Sequence, residues 1–253
     1  MFIPLHDRNA LEHIRRPYVT YALVATNLLV WAFTAILPVD TIYAIDAGLG
    51  FIPSISMGNK ILDPSLVIVP DGWTVITYAF LHQDFWHLAS NMLFLWIFGD
   101  NIEDAMGHFR YLAFYLLCAT AGALFHGLVT FDPDVPLIGA SGAIAGVISA
   151  YLILHPKVRL WVLVLFRFPL PLPAAIPLLF WVLQQFYFLV VDTEGTVSWG
   201  AHAGGIIAGA LLVLVMRRRG VPLFDRPLQT TASIVHADGS APEKPPPLKW
   251  GRE

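Results

Sequence analysis

The stretch Gly139-Ala140-Ser141-Gly142-Ala143-Ile144-Ala145-Gly146 opens an apolar helix that runs on to about Leu154. A serine flanked by residues with little or no side chain, just inside a hydrophobic segment, is either a packing residue or a nucleophile. Its surroundings decide which. The chain has 253 residues, 57% of them hydrophobic and only 13% charged, with a mean hydropathy of +0.65. Those values lie far outside the soluble range and imply a polytopic membrane protein. A formal net charge of -3 provides no basic face for nucleic acid, so no nucleic-acid partner is expected. The single cysteine, Cys118, lies in an apolar run, can close no intramolecular disulfide and reads as a small buried hydrophobe. The first residues carry His6, Asp7, Arg8, Glu12, His13, Arg15 and Arg16 without a short apolar core or a small-residue cleavage site, which argues against a removable signal peptide.

Outward from the serine helix, apolar runs recur, the first of them of about the 20 residues a bilayer requires. Tyr18 to Leu37 is the first, Trp86 to Phe98 the second and Phe109 to Val129 the third, with Gly99 to Gly107 read as a short polar turn between the last two. The serine helix is the fourth, closed by His155-Pro156. Leu172 to Val190, after an interfacial approach rich in proline, is the fifth, and Trp199 to Met216 the sixth. Pro38 to Phe85 is too broken by Asp and Pro to span and is expected in the interface. The expected fold is an all-α membrane protein, a six-transmembrane-helix bundle. Residues 1–17 form a short cytoplasmic N-terminal segment, 18–217 the six-helix core, and 218–253 a flexible proline-rich cytoplasmic tail. Arg8, Arg15, Arg16, Lys157, Arg159, Arg167 and Arg217 to Arg219 then fall on one side, with Asp132, Asp134, Asp192 and Glu194 on the other. The positive-inside rule makes the first side, and both termini, cytoplasmic.

That topology brings the polar residues at the start of spans two, four and six to one depth: His87, Asn91, Ser141 and His202. Polar side chains at membrane depth mark function by default. Gly142 with Gly146, and Gly205 with Gly209, have the spacing that lets two helix backbones touch, which carries His202 to Ser141. Read as packing alone, these glycines would say nothing of chemistry. Ser141 lies in a first helical turn, whose free N–H groups can hold an oxyanion. His87 and Asn91, four apart on one helix face, can donate to the same oxyanion. His202 would be the general base, and no carboxylate stands at matching depth, so a dyad is expected.

His82, His87 and Asn91 as HxxxxHxxxN, Gly139 to Gly142 as GASG, and Ala201 to Gly205 as AHxGG together resemble the rhomboid intramembrane serine proteases, over about Tyr18 to Arg217. The resemblance implies a serine endopeptidase needing no metal or cofactor. Ser141 is then the nucleophile and His202 the base, with an oxyanion hole of His87, Asn91 and the Ser141 N–H beside Gly139. Its substrates would be single-pass transmembrane proteins, cut near the outer end of their spans, with the lipid bilayer as surroundings. Two positions depart from many members. Thr74 stands where an arginine follows the tryptophan of the first loop. Ala145 replaces a tyrosine that stacks on the catalytic histidine, leaving the orientation of His202 to other groups. Inactive relatives lose the serine or histidine or place a proline before the serine. Ala140 stands there, so an active enzyme is favoured over a catalytically inactive homologue that binds membrane-protein clients.

A metal site from His82, His87 and His202 ranks below the dyad, because nothing matches HExxH and residues five apart leave one helix face. His82 is read as support for the first loop or a cap of the second span, and His108, His126 and His155 as anchoring or packing residues. Gln83, Asp84, His87, Ser90 and Asn91 could line a water-filled pocket. The fifth span, with Phe180, Trp181, Phe186, Tyr187 and Phe188, is the expected movable gate for substrate arriving from lipid. The protein is expected to be an integral multi-pass protein of a bacterial cytoplasmic membrane, its active site facing the outer side.

Overall fold

The computed structural model describes residues 2–164, 167–192 and 197–225. Its main elements are β1 (Phe2–Asp7), α1 (Tyr18–Thr34), α2 (Val39–Leu49), α3 (Phe85–Met106), α4 (His108–Val129), α5 (Ser141–Leu154), β2 (Arg159–Val164), β3 (Phe168–Pro173), α6 (Ala175–Val191) and α7 (Trp199–Met216). Shorter helical turns fill the segment between α2 and α3. By length and composition α4 and α7 are long and apolar enough to cross a membrane, and α1, α5 and α6 are shorter apolar helices.

The centre of the bundle is α5. Every residue from Gly142 to Tyr151 is buried, so the helix is wrapped on all sides rather than along one stripe. Small side chains make this possible. A Cβ added at Gly205 of α7 would overlap the carbonyl oxygen of Gly142, and one at Gly209 would overlap that of Gly146. On its other side α7 presses Gly204 against α4, where a Cβ would come within 2.6 Å of Ala121 O. The glycines of α7 thus pack it against two helices at once, and the two helix-to-helix registers fall four residues apart as a parallel close contact requires.

Three features correct the sequence expectation. The chain is mostly helical but not all-α. The supposed N-terminal segment and interfacial approach are strands of one antiparallel sheet in the order β1-β2-β3. Residues Arg159 to Val164 carry the β-branched and aromatic side chains that suit a strand, and Leu160 and Val162 turn inward. Pro169, Pro171 and Pro173 alternate along the edge strand β3, where missing N–H groups all face away from the ladder.

The second span also does not stop at Phe98. α3 continues to Met106 and breaks at Gly107, whose φ of +85° suits glycine. Asn101, Glu103 and Asp104 are not solvated turn residues, because each has a partner in the N-terminal segment, α1 or the next helix. Glu103 accepts from the backbone N of Val19 (2.9 Å) and Thr20 (2.8 Å) and from Thr20 Oγ1 (2.8 Å). It caps α1, which has no side-chain cap of its own. Asp104 accepts from the backbone N of Glu12, His13 and Ile14 at 3.0, 2.7 and 2.7 Å.

Finally, the expected flexible tail begins with an ordered stretch. Arg218 N donates to Ala105 O (2.8 Å), and Phe224 N and Asp225 N donate to Ile153 O and Leu154 O (both 2.9 Å), closing the end of α5. Val221 is buried. The remainder of the expected tail, 226–253, lies outside the described residues.

Candidate functional site

One end of the bundle holds the sheet; the other holds Ser141, the first residue of α5. The chain reaches Ser141 through Gly139, at φ +119°, a conformation that L side chains rarely adopt. A side chain there is excluded twice over, since a Cβ would come within 2.7 Å of both Cε1 and Nε2 of His87. The same point is 3.9 Å from Ser141 Oγ. The imidazole of His87 and the serine hydroxyl therefore border one small space at the start of α5. Gly139 is held there by its N–H, which donates to Tyr78 O (2.9 Å), and Tyr78 in turn is anchored by its hydroxyl on Ala119 O (2.8 Å).

His87 and Asn91 lie on α3, whose start is capped by Asp84 accepting from Trp86 N (2.7 Å) and His87 N (2.9 Å). Asn91 is buried, and its Nδ2 makes no hydrogen bond among the described residues. A buried donor without a partner is costly and rare. His82 is buried with its ring edge-on to that of His87, centroids 5.0 Å apart. It packs against the His87 ring, whereas the sequence reading gave it the first loop or the cap of the second span.

His202 is in the first turn of α7. The contacts of Gly205 on Gly142 and Gly209 on Gly146 place it within about one turn of the Ser141 level. Its ring is boxed by Trp199, edge-on at 5.7 Å, and by Trp181 of α6 at 6.2 Å. Trp199 is itself fixed by stacking on Phe188 at 5.0 Å and by its Nε1 donating to Asp192 Oδ2 (2.6 Å). Aromatic rings on α6 and α7 thus pack on His202, while α5 has Ala145 in the position where the resemblance implied a tyrosine.

The sequence reading missed Gln185. This residue of α6 is buried and its Oε1 lies 2.8 Å from His202 Nδ1, while its Nε2 donates to Trp181 O (2.9 Å). Because the amide NH₂ is committed to a carbonyl, the oxygen faces the ring, and Nδ1 carries the proton. That tautomer leaves the Nε2 lone pair free. The available signal was a Gln184-Gln185 pair inside an otherwise apolar run, three to four residues from Trp181.

Among the described residues no group of three or more His, Cys, Asp or Glu could hold a metal ion. A cavity of ≈ 440 Å³ opens at this end between α4, α7 and the segment before α5, bordered by His126, Asp132, Leu137, Trp199 and Gly200. Neither Ser141 nor His202 lines it. Thr74 is buried and its hydroxyl donates to Asp71 O (2.6 Å), so it closes a local turn.

Residues 70–219 match the sequence profile of the Rhomboid domain. The chain is 34% identical over 142 residues to "Rhomboid protein 1, mitochondrial" of Saccharomyces cerevisiae, covering 54% of this chain and 40% of that protein. It is 30% identical over 165 residues to "Rhomboid protease AarA" of Providencia stuartii, covering 58% and 57%, and 36% identical over 98 residues to "Rhomboid protease GluP" of Bacillus subtilis, covering 39% and 18%. The chain thus spans less than two thirds of the length of these curated relatives.

Proposed function

We propose, since this chain belongs to the rhomboid family of integral membrane proteins, that it is a serine endopeptidase that cuts transmembrane segments of single-pass proteins with a Ser141–His202 dyad. The observation that carries this reading is the convergence at the start of α5 of Ser141, the His87 ring and Gly139. The Nδ1 hydrogen bond of His202 supports it.

In this mechanism His202 Nε2 takes the proton of Ser141 Oγ as the oxygen attacks the scissile carbonyl. The oxyanion gains three donors, the Ser141 N–H, His87 and the otherwise unbonded Nδ2 of Asn91, at the positive end of the α5 dipole. His202 then protonates the leaving amine, and water, activated by the same histidine, hydrolyses the acyl-enzyme.

Six spans fit the order of apolar helices, with α1, α3, α4, α5, α6 and α7 crossing. α5, at 14 residues, is about 21 Å long, shorter than a hydrocarbon core of about 30 Å, which sets Ser141 below the membrane surface. Arg8, Arg159 and Arg218 gather at the sheet end and Asp132, Asp134 and Asp192 at the site end, so the sheet end faces the cytoplasm and the site the outer side. A bacterial cytoplasmic membrane is the proposed location. Curated relatives include both mitochondrial and bacterial proteins.

A fluorophosphonate probe and a reconstituted single-pass substrate test the reading together. Wild-type protein should be labelled and should cleave, and Ser141→Ala and His202→Ala should do neither. A folded wild type that takes no label and cuts nothing would make it a client-binding homologue instead.

A further inference from the structure

The helix that bears Gln185 is sparsely held. Of the 17 residues of α6 only Pro177, Leu178 and Gln185 are buried, and the first two lie at its sheet end, next to β3. Along the site-end half Leu183, Tyr187, Val190 and Val191 are exposed, and contact with α3 is made by Trp181 against Phe94, ring centroids 6.3 Å apart. The single buried side chain in that half is a glutamine, and it is bonded to the base.

Two consequences meet in that one contact. In hydrocarbon an amide oxygen and an imidazole N–H stripped of each other find no water, so their hydrogen bond resists separation of α6 from α7. The same bond fixes which nitrogen of His202 holds the proton. Whenever the site-end half of α6 moves outward, Nδ1 loses its acceptor and the ring is free to turn or exchange tautomers, so Nε2 no longer addresses Ser141.

Building on the protease reading above, we propose that Gln185 is a positioning residue that couples the seating of α6 to the competence of His202. The serine is then activated only when α6 is closed, and a segment entering past α6 meets an unready nucleophile until the helix returns. A hydrolase within lipid gains from this arrangement: an open door and an armed serine do not coincide.

The test compares wild type with Gln185→Leu, which keeps the bulk and removes both polar atoms, and Gln185→Glu, which restores an acceptor for Nδ1. Fluorophosphonate labelling reads the dyad alone. Cleavage of the reconstituted substrate reads kcat and KM separately, and spin labels at the exposed positions Ser90 of α3 and Leu183 of α6 read the seat of α6 without reference to activity. Gln185→Leu should lower labelling and kcat by about 100-fold, the scale of a misplaced reacting group. KM should stay level or fall, and the spin-label distances should broaden toward longer values. Gln185→Glu should recover most of the labelling rate and the narrow distances. Unaltered labelling and distances in Gln185→Leu would overturn the coupling while leaving the protease reading intact. So would equal losses in both variants, the mark of a residue needed only for packing. Absence of labelling in wild type would instead overturn the protease reading on which the coupling rests.

Discussion

The buried acids of the sheet end and the polar groups around Ser141 are treated in opposite ways. At the sheet end every buried acid is heavily bonded: Glu103 receives two backbone N–H groups and a hydroxyl, Asp104 three backbone N–H groups, and Asp7 the Tyr151 hydroxyl (2.7 Å) and the Asn101 amide (3.1 Å). His155 Nδ1 likewise lies within hydrogen-bond distance of Asp225 Oδ1 (3.2 Å). At the site end, among the described residues, Asn91 Nδ2 is left without a partner and the hydrogen bond of His202 is made by Nδ1 to Gln185. Satisfied polar networks rigidify; unsatisfied ones are the places where a ligand or transition state supplies the missing partner. The sheet end is built as a clamp, the site end as a reaction chamber.

The contrast fails or sharpens in mutants. Glu103→Ala should have the largest effect, because it leaves the first backbone N–H groups of α1 without their acceptor in a buried setting. A loss of about 1–3 kcal/mol for each stranded donor is expected, read as a lower unfolding temperature in detergent, with Glu103→Gln less severe. Asn91→Ala should do the reverse. Its kcat should drop by about 10²–10³, as for one lost oxyanion donor, with thermal stability unchanged, since the resting protein makes no bond to break. Should Asn91→Ala melt as early as Glu103→Ala, the site end is a second clamp and the division between the ends is wrong.

How far the sequence could be read follows the same division. Ser141, His87, Asn91, His202 and the glycine spacings are legible because close helix contacts admit few residue types, and the structure brings His87, Gly139 and Ser141 to one point and packs Gly205 on Gly142. The sheet was not legible. Phe168 to Pro173 reads as a proline-broken approach until its partner strand is known, since pairing between Phe2–Asp7 and Arg159–Val164 is set by tertiary register, with no local signal. The polar run from Asp100 to Asp104 looks like a turn for a related reason: the backbone groups that satisfy Glu103 and Asp104 come from residues 83 to 92 positions earlier. Gln185 escaped notice because a polar residue on an aromatic, lipid-facing helix has meaning only through the histidine it meets.

The mildest probe of the clamp is Asp7. Burial raises its carboxyl pKa, and the Tyr151 hydrogen bond only partly opposes this. The unfolded chain therefore releases that proton at lower pH than the folded one. The stability Asp7 provides is complete below the ordinary carboxylate range and is lost as pH rises through its raised folded value. Asp7→Asn keeps an oxygen for the Tyr151 hydroxyl and carries no charge. Its unfolding temperature relative to wild type should thus climb as pH goes from acid to neutral, with activity unaltered throughout. A difference that ran the other way would mean that Asp7 is held as a carboxylate by Tyr151 and Asn101. The donors from Tyr151 and Asn101 would then outweigh burial at Asp7, the position where β1 meets α3 and α5.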